Sequence, residues 1–269
     1  MKKFLIKISL LFVLLFLCSS LLWKYCHTDK PIVTIKERVL ILGDSHTEED
    51  INDTIFTNSF NYSQGGDPFI YSYVKLVNIT SASKIDTLIL SVSPATFNVG
   101  ENWLHKANKL LYRFPLEDLM FLAHYNPSAI GHSFNVFDIR NRRNDIGGYR
   151  SLDKFRLQEN LERWATKTLN PCIPHEAQLL YLDKIVEYCR SKSIQLIFIN
   201  TPTYHAERFY NMDNFYKLIE EKYNDVTFWD YGNYVLLDSC YGDVNHLNYI
   251  GAKIFSAMLQ EKVRNKYNQ

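Results

Sequence analysis

Short apolar runs recur along the chain at Val39–Leu42, Phe60–Ser63, Thr87–Val92, Ile194–Asn200 and Val226–Trp229. Each leads into a loop, and most of those loops lead into a stretch with helical spacing. Strands alternating with helices build βαβ units, and such units assemble into a parallel sheet. Pro68 to Val77 predicts a helix with proline in its first turn, where a missing N–H is tolerated. Glu176 to Lys192 predicts a second, because Leu179, Leu180, Leu182, Ile185, Val186 and Cys189 recur at helical spacing. Tyr249 to Tyr267 predicts a third.

The stretch from residue 100 to 174 breaks this rhythm and is too long for a plain loop. Leu110-Leu111, Leu116 to Leu122 and Leu157 to Trp164 predict short helices, and Asn141 to Gly148 predicts an exposed turn. A mostly helical insertion is expected here. It follows the third strand, so it leaves the sheet on the edge where ligands bind in such folds. It is either a lid and substrate-recognition element or packing alone.

The amino end has a third pattern. Lys2, Lys3 and Lys7 precede an apolar stretch broken only by Ser9, Cys18, Ser19 and Ser20, and Lys24 closes it. From Phe4 to Trp23 it is about one bilayer long, and no small-x-small cleavage site precedes Lys24. Residues 1–26 are therefore expected to be an uncleaved signal anchor, residues 27–37 a polar tether, and residues 38–269 one folded domain. The basic end should remain in the cytoplasm, which puts the domain on the outer side as a periplasmic or cell-surface protein. A lipoprotein reading through Cys18 is weak, because Leu17 stands where a small residue is needed.

Composition narrows the function. Lys plus Arg number 30 against 29 Asp plus Glu, a net charge of +1, which gives no general attraction to nucleic acid. The 18 Tyr and 17 Phe would suit stacking on sugar rings, and equally an ordinary packed core. Of the five cysteines, Cys18 lies in the apolar segment. Cys26, Cys172, Cys189 and Cys240 could pair in three ways outside the cytoplasm, with free buried thiols as the default, and no Cys-x-x-Cys suggests a zinc site.

Candidate chemistry gathers at the carboxyl ends of the predicted strands, where sites form in parallel sheets. Gly43-Asp44-Ser45-His46 follows the first run, Gly65-Gly66 the second, Ser93 to Asn98 the third, and Asp243-Val244-Asn245-His246 the fifth. A serine hydroxyl can attack an acyl carbon if His246 takes its proton, and Asp243 can orient that imidazole; a spacing of three lets the pair meet within one turn. The negative oxygen that develops needs donors, and the N–H groups of Ser45 and of the Gly65-Gly66 loop are available. His46 reads as an exposed loop histidine, with a supporting role beside the site residues as the alternative. His205, after the fourth run, is a pocket or solvated residue, and His105, His124, His132 and His175 show no ligand spacing.

These residues carry a resemblance. Gly43-Asp44-Ser45, Asp243-Val244-Asn245-His246 and the continuation Leu247-Asn248-Tyr249-Ile250-Gly251-Ala252 resemble the SGNH (GDSL-type) hydrolases over about Val39 to Lys262, apart from the insertion. The resemblance implies a three-layer, flavodoxin-like parallel sheet of about five strands with helices on both faces. It also implies Ser45 as nucleophile, His246 and Asp243 as its partners, and an oxyanion hole from Ser45, Gly66 and a third donor. Asn61 to Gly66 matches the glycine-bearing block, with Gly66 as the family glycine. The family's Gly-x-Asn-Asp is replaced by Ser91-Val92-Ser93-Pro94-Ala95-Thr96-Phe97-Asn98, leaving Asn98, Ser93 and Thr96 as candidates for the third donor. No cofactor and no metal are expected.

The resulting expectation is a serine esterase or O-acyltransferase, with acetyl as the expected acyl group, acting on an extracytoplasmic cell-envelope glycan. Two alternatives stand beside it. One is a catalytically silent glycan-binding protein of the same fold, motivated by the missing asparagine. The other is a metal-dependent phosphoesterase, suggested by Asp44-x-His46 and by Asp243 with Asn245-His246.

Overall fold

The computed structural model describes residues 2–28, 33–97, 115–125, 147–153, 155–165, 170–204, 209–210 and 212–267. In chain order the elements begin with α1 (Lys2–Thr28), β1 (Val39–Leu42), α2 (Ser45–Asp50), β2 (Ser59–Asn61), α3 (Phe69–Thr80), β3 (Thr87–Ser91) and α4 (Pro94–Phe97). They continue with α5 (Leu116–Tyr125), α6 (Leu157–Trp164), β4 (Asn170–Pro171), α7 (Glu176–Ser191), β5 (Gln195–Asn200), β6 (Phe209–Tyr210), α8 (Met212–Lys222), β7 (Thr227–Asp230) and α9 (Tyr249–Tyr267).

The chain divides into two compact units, Met1–Val33 with Leu104–Asp145, and Thr34–Trp103 with Ile146–Gln269. In the first, Lys2–Ser20 of α1 is long and apolar enough to cross a membrane, a test that a signal sequence also passes. Its apolar side chains from Phe4 to Leu17 are exposed.

In the second unit five strands form one parallel sheet in the order β2-β1-β3-β5-β7. That is the flavodoxin-like order, with the switch of direction between β1 and β3. The three central strands read Val-Leu-Ile-Leu, Thr-Leu-Ile-Leu-Ser and Gln-Leu-Ile-Phe-Ile-Asn without alternation, because helices cover both faces. On one face Ile41, Ile89, Ile197, Ile199 and Trp229 pack with Phe255 and Leu259 of α9. Their neighbours Leu40, Leu42, Leu88, Leu90 and Phe198 are buried too, and alternation along a strand sends them to the opposite face. Truncating Phe255 to alanine would cost about 3–5 kcal/mol.

Most predicted boundaries shift by one to three residues; the second strand is shorter than expected and ends at Asn61. Within the 100–174 stretch, α5 and α6 are helical as expected. A two-residue parallel pairing of β4 with β6 was not foreseen. Among the described residues, Cys172, Cys189 and Cys240 are buried free thiols, and Cys18 is free and exposed.

Candidate active site

The exit from β1 is a sharp turn. Gly43 has φ 154, and a Cβ there would overlap the Ser91 side chain of β3 and lie 2.6 Å from Thr47 Oγ1, so only glycine lets the chain pass. Asp44 then caps α2: its Oδ1 accepts the His46 N–H at 3.1 Å and the Ser91 hydroxyl at 3.1 Å. Because Asp44 does the capping, the next residue, Ser45, has its hydroxyl free. Ser45 Oγ lies 2.9 Å from His246 Nε2.

His246 is held from the other side. Its Nδ1 lies 3.0 Å and 3.1 Å from the two carboxylate oxygens of Asp243, and Asp243 Oδ1 also accepts the backbone N–H groups of Asn245 (2.7 Å) and His246 (3.0 Å). With Nδ1 protonated and donating to Asp243, Nε2 is left to accept the serine proton. Burial alone would lower the His246 pKa, but the Asp243 hydrogen bond and charge raise it to about 9. Glu49 Oε2, 3.6 Å from Nδ1, adds to the rise. For Asp243, burial pushes the pKa up, and the interactions with His246 outweigh it and hold the carboxyl below its usual range.

His46 corrects the sequence reading. It is not an exposed loop residue: only 7% of it is accessible, its Nδ1 lies 3.0 Å from Asp44 Oδ2, and its ring centroid is 5.1 Å from that of His246. Two imidazole–carboxylate pairs therefore stand side by side. The sequence signal was present in the spacing of Asp44 and His46, which matches an aspartate cap and a side chain two residues on. Asp50, also missed, is fully buried and fastens the His246 loop: its carboxylate accepts Leu247 N–H at 2.8 Å and the Thr201 hydroxyl at 2.6 Å. Complete burial drives its pKa well above the usual carboxylate range.

The glycine loop stands where it was expected. Gln64 N–H bonds Gly43 O at 3.0 Å, and Gly66 is exposed in a left-handed conformation at φ 70. A Cβ placed on Gly65 would lie 3.6 Å from Ser45 Cβ, so this loop borders the serine directly. Of the candidates for the third donor, Ser93 and Thr96 are engaged with each other. Ser93 accepts the Thr96 N–H at 3.3 Å, its own N–H donates to Thr96 Oγ1 at 2.9 Å, and Thr96 Oγ1 donates to Ser93 O at 2.8 Å. The two residues form a reciprocal cap on α4. Asn98 and His205 lie outside the described residues. His175 is a helix cap, its Nδ1 accepting Ala177 N–H at 3.2 Å.

The returning limb of the insertion runs along the same edge. Gly148 N–H bonds Asn61 O at 2.6 Å, Arg150 N–H bonds Glu48 O at 3.0 Å, and Arg156 N–H bonds Gly242 O at 2.8 Å. One stretch thus ties together β2, the helix bearing Ser45 and the loop bearing His246. No group of three or more His, Cys, Asp or Glu side chains suited to hold a metal ion occurs among the described residues.

A protein-family model matches residues 167–268. No curated protein matches the chain. Among solved structures the chain is similar to a G-D-S-L family protein from Desulfitobacterium hafniense, with 11% identity, a TM-score of 0.44, and coverage of 83% of this chain and 97% of that one. It is similar to a GDSL-like lipase from Bacteroides thetaiotaomicron, with 12% identity, a TM-score of 0.42, and coverage of 86% and 89%. It is also similar to a carbohydrate acetylesterase from Sinorhizobium meliloti, with 11% identity, a TM-score of 0.38, and coverage of 86% and 99%.

Proposed function

We propose that the protein is a serine esterase or O-acyltransferase working through an acyl-enzyme on Ser45. The observation that carries this reading is the relay from Ser45 Oγ to His246 Nε2 at 2.9 Å and from His246 Nδ1 to Asp243 at 3.0 Å. In the proposed reaction Ser45 Oγ attacks the ester carbonyl while its proton passes to His246 Nε2. The tetrahedral oxyanion is held by the N–H groups of Ser45 and Gly66. Collapse breaks the ester C–O bond, and His246 returns the proton to the leaving alkoxide. A water or a sugar hydroxyl then gives its proton to His246 and attacks the acyl-serine; as the acyl C–O bond to Ser45 breaks, His246 returns that proton to Ser45 Oγ. Asp243 stays ionised and steadies the imidazolium.

The substrate side rests on the resemblance and on α1. SGNH members that resemble this layout, an amino-terminal anchor with Gly-Asp-Ser-His, often serve cell-envelope polysaccharides. An acyl ester, expected to be acetyl, on an extracytoplasmic glycan is the substrate class we assign, with α1 as membrane anchor and the site domain on the outer side.

One observation favours a second reading. Ser93 stands where the family has asparagine, and its shorter side chain is held in a helix cap by the Thr96 N–H, which fits a silent glycan-binding protein. Full-length protein in detergent should be treated with a fluorophosphonate probe and with p-nitrophenyl acetate, alongside Ser45→Ala and His246→Ala. The esterase reading expects label and turnover in wild type only. Label surviving Ser45→Ala would sink the nucleophile assignment, and no label in wild type would favour the silent binder.

A further inference from the structure

Glu48 lies one helical turn beyond Ser45 on the short helix α2, and its carboxylate turns back towards the glycine loop. Oε2 accepts the Gly65 N–H at 2.6 Å, while the Glu48 backbone carbonyl accepts Arg150 N–H at 3.0 Å. The Glu48 side chain is 13% exposed, and Arg150 Nη1 stands 4.0 Å from the same Oε2. A carboxylate beside a site that must stabilise a negative oxygen is electrostatically adverse, so its presence calls for a compensating role.

The glycine loop needs outside support. Gly65 and Gly66 have no side chains with which to pack, and Gly66 is exposed. The base of the loop is fixed by Asp67 N–H to Gln64 O at 3.0 Å and by a fully buried ion pair, Lys75 Nζ to Asp67 Oδ2 at 2.6 Å, with Lys75 also donating to Tyr62 O at 2.7 Å. Its tip is met by Glu48. A donor displaced by about 1 Å from the reacting oxygen loses roughly a hundredfold in rate.

We propose that Glu48 is a positioning residue: by accepting the Gly65 N–H, its carboxylate holds the Gly65–Gly66 loop against Ser45, so that Gly66 N–H meets the developing oxyanion. The inference rests on the acyl-transfer reading above. Arg150, carried by the returning limb of the insertion, balances the charge of Glu48 and thereby brings the insertion into contact with the support of the oxyanion site.

The role predicts that the acceptor matters and the charge does not. Full-length wild type, Glu48→Gln, Glu48→Ala and Gly65→Ala are compared in detergent for p-nitrophenyl acetate kinetics, fluorophosphonate labelling rate and thermal midpoint. Glu48→Ala is expected to lower kcat by about tenfold or more with KM held within about twofold. Glu48→Gln, which keeps the oxygen acceptor and removes the adverse charge, restores kcat to the wild-type level or above. Wild-type kcat in Glu48→Ala, or equal losses in the Gln and Ala variants, would overturn the proposal. If Glu48→Ala does not fold, Gly65→Ala carries the test, since its new Cβ would lie 3.1 Å from Glu48 Oε2 and press on the same contact. An unchanged kcat there overturns it equally. If wild type takes no label, the acyl-transfer reading falls and this inference with it; if wild type and Glu48→Ala label at the same rate, this inference falls alone.

Discussion

Two adjacent strands, β1 and β3, leave the sheet on the same edge and each turns into a short helix, yet they use serine in opposite ways. At the β1 exit the cap is Asp44, and Ser45 one residue later points its hydroxyl at His246. At the β3 exit Ser93 is itself part of the cap, bound reciprocally with Thr96. A hydroxyl in a strand-to-helix turn is drawn to the unpaired N–H groups of the helix start. It becomes available for chemistry only when another side chain has already satisfied them. The Asp of Gly-Asp-Ser is therefore what frees the serine.

The most severe break in this contrast is Ser45→Ala, expected to remove p-nitrophenyl acetate turnover by roughly 10⁴-fold or more and to abolish fluorophosphonate label. Next comes Asp243→Asn, expected to cost about 10³–10⁴-fold in kcat by loosening the imidazole tautomer, measured with the same ester. The pH dependence follows from the same pair. His246 must be neutral to accept a proton, so wild-type kcat/KM should climb with pH until the imidazole titrates at about 9. Asp243→Asn should move that inflection down. The stability contribution has the opposite sign: the folded pKa is raised above 6.5, so the stabilisation is complete below about pH 6.5 and is lost as pH rises through about 9. Thermal midpoints across this window should fall while activity rises.

Smaller effects discriminate the two caps. Asp44→Ala removes the α2 cap together with the contacts to His46 and Ser91. It should cost about 2 kcal/mol, read by denaturant unfolding, and slow labelling of Ser45 as the turn relaxes. Ser93→Ala should cost about 1 kcal/mol through its cap and change the labelling rate by less than about tenfold. A hundredfold loss of labelling with an unchanged midpoint would instead make Ser93 an oxyanion donor and erase the contrast.

What could be read from the chain follows the range of the forces involved. The central strands were legible because burial on both faces leaves an unbroken apolar run, and α7 and α9 because one helix face repeats locally. Gly43-Asp44-Ser45 and Asp243-Val244-Asn245-His246 were legible as candidates because each is a short local motif, although about two hundred residues separate them. Glu48 and Asp50 were not, since what defines them is a partner far away: Gly65 for Glu48, and Thr201 and Leu247 for Asp50; His46 has its partner Asp44 two residues off, but its burial beside His246 depends on the fold. The β4–β6 pairing was invisible because two residues carry no periodicity. Ser93 was legible as a departure from the family pattern, but its place in a local cap with Thr96, which fixes where the hydroxyl sits, is not given by residue identity alone.

The contacts that close the site span almost the whole chain: Ser45 to His246 across 201 residues, Asp50 to Leu247 across 197 and Asn52 to Ser256 across 204. Contacts of such high sequence separation carry a loop-closure cost that local contacts do not, so the site is complete only when the two ends of this domain have come together. During synthesis the serine emerges about two hundred residues before His246, and without that partner it is an ordinary alcohol. If Ser45 is the nucleophile proposed above, the rate at which a probe acylates it in a refolding chain would time the closing of these contacts.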